Sequence, residues 1–214
     1  MQKNIIITGA TDGIGLAAAK VIKSKNYRIG LVGRNPEKGK IAIETIQSLT
    51  GNENLDFLQC DLSSVKNIKQ LSDEIKSRYS KIDVLLNNAG GANKTKQITS
   101  EGLEKTFATN QMNYFVLSTE LIDIISESND GRIINVASNA HIGAEVDYEN
   151  INSEKNFSAW TSYCVSKLMN IMLTYKMAAM QDKVCVNALH PGFVDTNIAG
   201  NEGNLIKYIV KFGA

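Results

Sequence analysis

Seven tyrosines occur in the chain, and only Tyr163 has a lysine four positions on, Lys167. On a helix that spacing brings both side chains to one face, a turn apart. A neighbouring ammonium favours the phenolate and pulls a tyrosine pKa down from about 10. A phenol tuned in this way exchanges a proton with a carbonyl or alcohol oxygen. The same spacing is common on solvated helices, so the pair carries chemistry only in company. Ser138, closing GRIINVAS, supplies a hydroxyl that can hold the same oxygen, or that simply forms a turn. Asn110, in FATNQMNYF, is an indifferent helix former inside a helical stretch and reads either as a site residue or as a tolerated surface position.

A second constellation opens the chain. In KNIIITGATDGIG, the β-branched run Ile5–Ile7 predicts a buried strand, and a glycine-rich turn follows without a spacer. The alanine-rich LAAAKVIKSK behind it predicts a helix. Strand, glycine turn and helix in that order make a phosphate site, because glycine backbone can approach a ligand and a helix N-terminus offers free N–H groups. A flexible turn with no ligand is the plainer alternative. The residues of this turn are Thr8, Gly9, Thr11, Asp12, Gly13, Ile14 and Gly15. At the end of the second strand, where an acidic residue would hold an NAD ribose, stand Gly33, Arg34 and Asn35. A guanidinium favours a 2′-phosphate, so NADP(H) is expected over NAD(H), unless Arg34 is an ordinary solvated loop residue. Asp12 adds a negative charge near the phosphates. Asp61, followed by Leu62 after the third strand, reads equally as an acceptor for an adenine amino group or as a helix cap. Asn87, Asn88, Ala89 and Gly90 end the fourth strand, where small residues let backbone approach a cofactor or only make a turn. His190-Pro191-Gly192 ends the sixth, with Val194 and Thr196 beyond it in PGFVDT.

These residues need strands that end where they stand. Tyr27–Gly33, Leu55–Cys60, Ile82–Leu86, Ile133–Val136 and Val184–Leu189 read as further strands. Between them lie helical stretches. One starts at Pro36 and is expected to bury Ile41, Ile46 and Leu49; another is capped by Ser63 and runs to about Tyr79. A long one is capped by Ser100 and reaches about Ser126, and the last covers Trp160–Met180. Strands alternating with helices predict a doubly wound parallel α/β sheet, a three-layer Rossmann fold in a single domain spanning 1–214. Ligands of such sheets sit beyond the carboxyl ends of the strands, where every residue named above falls.

Composition narrows the partners. With 23 basic and 22 acidic side chains and no basic run, neither nucleic acid nor an anionic membrane is an expected partner. No apolar run is long enough to span a bilayer. Cys60, Cys164 and Cys185 are odd in number and far apart, which predicts a reduced, cytoplasmic setting and no metal site.

Taken together, TGATDGIG, NNAG, Asn110, Ser138, Tyr163-x-x-x-Lys167 and PGFVDT resemble the short-chain dehydrogenase/reductase superfamily in order and spacing. GRN after the second strand, CDLSS, NVAS followed by AH, YCVSKLMN and NALHPG are similar to its retinol dehydrogenase-like branch, which includes protochlorophyllide reductases. The resemblance implies an oxidoreductase for a small carbonyl or alcohol. Tyr163 would be its acid/base, Lys167 would bind the nicotinamide ribose, Ser138 would hold the substrate oxygen, and Asn110 would hold a relay water. Thr8, Gly9, Gly13, Ile14 and Gly15 would line phosphates and ribose, Asn88, Ala89 and Gly90 the adenosine-side ribose, and Pro191, Gly192 and Thr196 the carboxamide. Substrate loops would be about 139–160 and 196–214, and two copies would pair through the helices carrying Asn110 and Tyr163. The family's seventh strand is expected to be missing, since the sequence stops at Ala214. Many animal retinol dehydrogenases carry an N-terminal membrane segment that this sequence lacks, so a retinoid substrate does not follow. A cofactor-sensing protein that binds NADP(H) without turnover is the competing reading.

Overall fold

The computed structural model describes residues 2–22 and 26–192. Six parallel strands form one sheet: β1 (Lys3–Thr8), β2 (Tyr27–Gly33), β3 (Leu55–Gln59), β4 (Val84–Asn87), β5 (Gly131–Val136) and β6 (Val184–Leu189). Their spatial order is β3-β2-β1-β4-β5-β6, so the order reverses between β1 and β4. Side chains alternate across the sheet. Ile5 and Ile7 face a core shared with α1 (Gly13–Val21) and α2 (Pro36–Thr50), while Ile6 faces the opposite core. That second core is closed by α3 (Val65–Arg78), α5 (Asn113–Ser126) and α6 (Ala159–Met180), through Ile68, Ile75, Leu117, Leu121 and Leu173. The expected three-layer, doubly wound single domain is what forms. The expectations for a seventh strand and for the loop 196–214 lie outside the described residues.

Three local expectations are corrected. The long helix before β5 does not start at Ser100, because residues 99–103 close a turn in which the Thr99 hydroxyl accepts the Leu103 N–H. Glu104 instead caps a short α4 (Lys105–Phe107), accepting from the backbone N–H groups of Thr106 and Phe107 at 2.9 Å each. Ser64, not Ser63, caps α3, with its hydroxyl accepting the Asn67 N–H. On α2, Ile41 and Leu49 are each 61% exposed. The helix buries Gly39, Ala42 and Ile46, and at Gly39 it lies so close over the Phe57 ring that a Cβ would collide with it.

Between α4 and α5 the chain passes through a π-turn, Ala108–Met112. A π-turn carries one residue more than an α-turn and is frequent at functional sites. Asn110 sits in its middle. The sequence read this stretch as continuous α-helix.

Candidate active site

The glycine turn is built around the buried hydroxyl of Thr8. It accepts from the backbone N–H groups of Asn88 (2.8 Å) and Ala89 (3.0 Å), and donates to the Leu86 carbonyl (3.3 Å). The Asn88 side chain returns the link, donating to the Thr8 carbonyl at 2.9 Å and the Gly9 carbonyl at 3.3 Å. Gly9 has φ +65°, and a Cβ there would stand 2.9 Å from the Ala89 backbone. A Cβ on Gly15 would collide with the Gly9 carbonyl oxygen. The ends of β1 and β4 and the start of α1 are thus packed backbone to backbone, and the N–H groups of Ile14 and Gly15, in the first turn of α1, have no acceptor within the helix. Such a cradle fits a dinucleotide pyrophosphate.

Asp12 caps α1 through the Gly13 N–H (2.8 Å) and pairs with Lys38 of α2 at 3.1 Å. The Lys38 hydrogen bond, followed by that from Gly13, holds the Asp12 carboxyl below the usual carboxylate range. Asn35 caps α2, its side chain accepting from the Lys38 N–H at 3.0 Å. Arg34 is exposed beside it and makes no ion pair among the described residues. Asp61 closes its own turn, accepting from the Ser63 N–H (3.0 Å) and hydroxyl (2.8 Å), while Leu62 is buried.

Tyr163, 5% exposed, and Lys167, 4% exposed, stand one turn apart on α6. Ser138 stands two residues beyond β5, near enough to the Tyr163 phenol to favour its ionised form. The loop after it is pinned twice. The Asn139 N–H donates to His190 Nδ1 at 3.3 Å, and His141 Nδ1 donates to the Ser138 carbonyl at 2.6 Å. His141 is thereby held to the loop through one ring nitrogen. Trp160 stacks against Tyr163, with ring centroids 6.1 Å apart. Burial raises the Tyr163 phenol above its ordinary value, and the neighbouring Ser138 hydroxyl only partly offsets this. Lys167 does not lower it as the sequence spacing suggested, because its ammonium turns toward backbone. It donates to the Val136 carbonyl at 2.9 Å, with its Nζ 5.7 Å from the ring centres of both Tyr163 and Tyr114. Burial also pulls the Lys167 ammonium down to about 8.

Both amide hydrogens of Asn110 are committed, to the Gly91 carbonyl and the Ser166 hydroxyl, each at 2.9 Å. Its oxygen accepts the Gly91 N–H at 2.9 Å. The side chain thus joins the segment after Gly90 to α6, and it has no N–H left for a water. Pro191 and Gly192, with φ +79°, lie at the end of β6 on the same edge of the sheet. Val194 and Thr196 fall outside the described residues. Three features escaped the sequence reading: Tyr114, the π-turn, and a buried polar chain. In that chain Asn87 donates to Ser118 and Asn135, and Asn135 donates to Thr174, all at 2.9 Å. Tyr114 follows Asn110 by four residues, a spacing that could have drawn attention to it.

A family model described as short chain dehydrogenase matches residues 3–205. Human polyprenol dehydrogenase is 32% identical over 201 residues, covering 90% of this chain and 61% of its own length. Human retinol dehydrogenase 11 is 33% identical over 198 residues, covering 92% and 62%. The chain therefore spans less than two thirds of these relatives. Among solved structures, a short chain dehydrogenase of Shigella flexneri complexed with NADP superposes with TM-score 0.71 at 25% identity, over 88% of this chain and 76% of that one. On sheet order, site geometry and these matches, the chain belongs to the short chain dehydrogenase family, in its retinol dehydrogenase-like branch.

Proposed function

We propose that the chain interconverts a small carbonyl compound and its alcohol with NADP(H) as partner. The observation that carries this reading is the convergence of Ser138, Tyr163 and Lys167 on the carboxyl edge of the sheet that also bears the glycine turn. The N–H groups of Ile14 and Gly15 at the start of α1, with the glycine backbone of the turn lying close by, would hold the pyrophosphate, and Arg34 a 2′-phosphate. NADP in the Shigella flexneri relative supports that choice. Bound there, the nicotinamide would give or take the hydride.

The chain's own residues handle the proton. A buried phenol with a raised pKa is protonated at neutral pH, so Tyr163 is ready to donate to a carbonyl oxygen. Ser138, beside that phenol, holds the same oxygen through its hydroxyl. Lys167 places a positive charge beside the reacting pair, and Trp160 shields Tyr163 from solvent. The same reading pairs two copies through α5 and α6, where Phe115, Met172 and Tyr175 are exposed. It also sets the chain in a reducing cytoplasm, supported by three unpaired cysteines.

Titration with NADPH and with NADH, followed by cofactor fluorescence, tests the first half, and NADPH should bind at least tenfold more tightly. Arg34→Met should remove most of that difference; a preference that survives it would take Arg34 out of the site. Tyr163→Phe should abolish turnover of NADPH with carbonyl compounds while leaving NADPH binding intact. Unchanged turnover would overturn the role of Tyr163, and NADPH binding without turnover in the wild type would favour a sensor.

A further inference from the structure

Lys167 presents a problem of charge. Its ammonium is buried, yet among the described residues no carboxylate pairs with it. An isolated buried charge is costly and normally neutralises unless something polar replaces water around it. Four elements face the ammonium. From β5 comes the Val136 carbonyl, the acceptor of its hydrogen bond. The phenol ring of Tyr163 comes from α6 itself. From the β4 side Gly90 approaches so closely that a Cβ there would lie 3.5 Å from Nζ and 3.1 Å from Asn110 Oδ1. The fourth is Tyr114, the second residue of α5, fully buried, with its ring centre 5.7 Å from Nζ. Tyr114 also donates its hydroxyl to the Val136 carbonyl, at 3.3 Å. Ring and hydroxyl therefore act on the same group, one directly and one through a shared acceptor.

A ring centre within about 6 Å of a cation attracts it through the negative face of the π-system, more strongly when water is excluded. Tyr114 and Tyr163 flank Lys167 in this way, and they come from different helices. Tyr163 is occupied with the substrate oxygen in the proposed reaction, whereas Tyr114 is not. The π-turn is what brings Tyr114 here. An α-helix turns by about 100° per residue, so one extra residue in the turn before α5 rotates every later side chain by that angle. Asn110 then points at Ser166 while Tyr114, four residues on, points at Val136 and Lys167.

We propose that Tyr114 is a positioning residue for Lys167, its ring face keeping the buried ammonium charged and its hydroxyl fixing the carbonyl to which that ammonium is bound. This rests on the reading of Lys167 as the charge beside Tyr163. The test is made on the chain without cofactor, so it succeeds or fails independently of turnover.

Lys167 is titrated by NMR in protein labelled at lysine Cε, its resonance assigned by loss in Lys167→Arg. Two replacements of Tyr114 preserve its shape. Phenylalanine keeps the ring's negative face and loses the hydroxyl; pentafluorophenylalanine reverses the face. The wild type should titrate at about 8. Tyr114→Phe should stay close to that value. The pentafluorophenylalanine variant should titrate about one pH unit lower, the size of a desolvated cation–π contact. In turnover, its alkaline limb should move down by the same amount, with KM for the carbonyl compound little changed. Equal Lys167 titrations in the phenylalanine and pentafluorophenylalanine variants would overturn the proposal, since a purely structural ring would fill the space equally well in both.

Discussion

At the scale of single residues, the site depends on atoms whose importance lies in what they exclude. Gly15 is an example, since a methyl group there meets the Gly9 carbonyl, which cannot move without dragging the Thr8–Asn88 clamp. Gly15→Ala should cost about 2 kcal/mol in denaturant unfolding and weaken NADPH binding roughly tenfold. An unaltered titration would mean that the turn is looser than its hydrogen bonds indicate. Tyr163, Lys167 and Ser138 were legible in the sequence because chemistry restricts both type and spacing. Tyr114 was not, because a buried aromatic on a helix looks like any core residue until its neighbours are known. The role of Asn110 was half legible: its position stands out, but that its side chain joins two segments does not show in the sequence.

At the scale of elements, the sequence located every strand, with Tyr27–Gly33 and Val184–Leu189 at their observed bounds, and placed helix starts less well. Strand signals are local, whereas caps can come from far along the chain. The N-terminus of α3 is the plainest case. Glu101, more than thirty residues later, accepts the N–H groups of Val65 (2.7 Å) and Lys66 (2.9 Å) and the Ser64 hydroxyl (3.1 Å). Those backbone donors, Lys66 foremost, hold its carboxyl below the usual range. No reading of residues 61–66 alone could supply that partner. Glu101→Ala should lower stability by about 1 kcal/mol, as cap removal does, and increase hydrogen exchange selectively in the first turn of α3. Uniform exchange changes across the domain would contradict a local cap. The π-turn was illegible for a related reason: it is imposed by Asn110 reaching Gly91 and Ser166 at once, and a helical pattern in the sequence does not record that demand.

At the scale of the whole molecule, the two edges of the sheet do different work. The carboxyl edge carries the site, and the opposite edge carries a clasp centred on Asp83. This buried carboxylate accepts from the Asn4 N–H (2.7 Å), the Lys81 ammonium (3.0 Å) and the Ser128 hydroxyl (2.6 Å), tying β1 to the approaches of β4 and β5. Against the cost of burial, these donors depress its pKa below 3.8, Ser128 contributing most. A depressed carboxylate stabilises the fold fully above its unfolded value, and that contribution is lost as pH falls through the folded value. Asp83→Ala should therefore cost about 3 kcal/mol at neutral pH, and the gap to wild type should close as pH drops below 3.8. A gap independent of pH would assign the loss to packing. Fold class was legible at this scale because alternation of strand and helix dictates handedness and layering. The clasp was not, since its members lie far apart in sequence.

The Thr8 hydroxyl has a mechanical consequence. Sitting where the strand order reverses, it rivets the two halves of the sheet at the one line along which they could splay. The mouth of the crevice is therefore stiff before any ligand arrives, so little conformational entropy remains to be lost when one does.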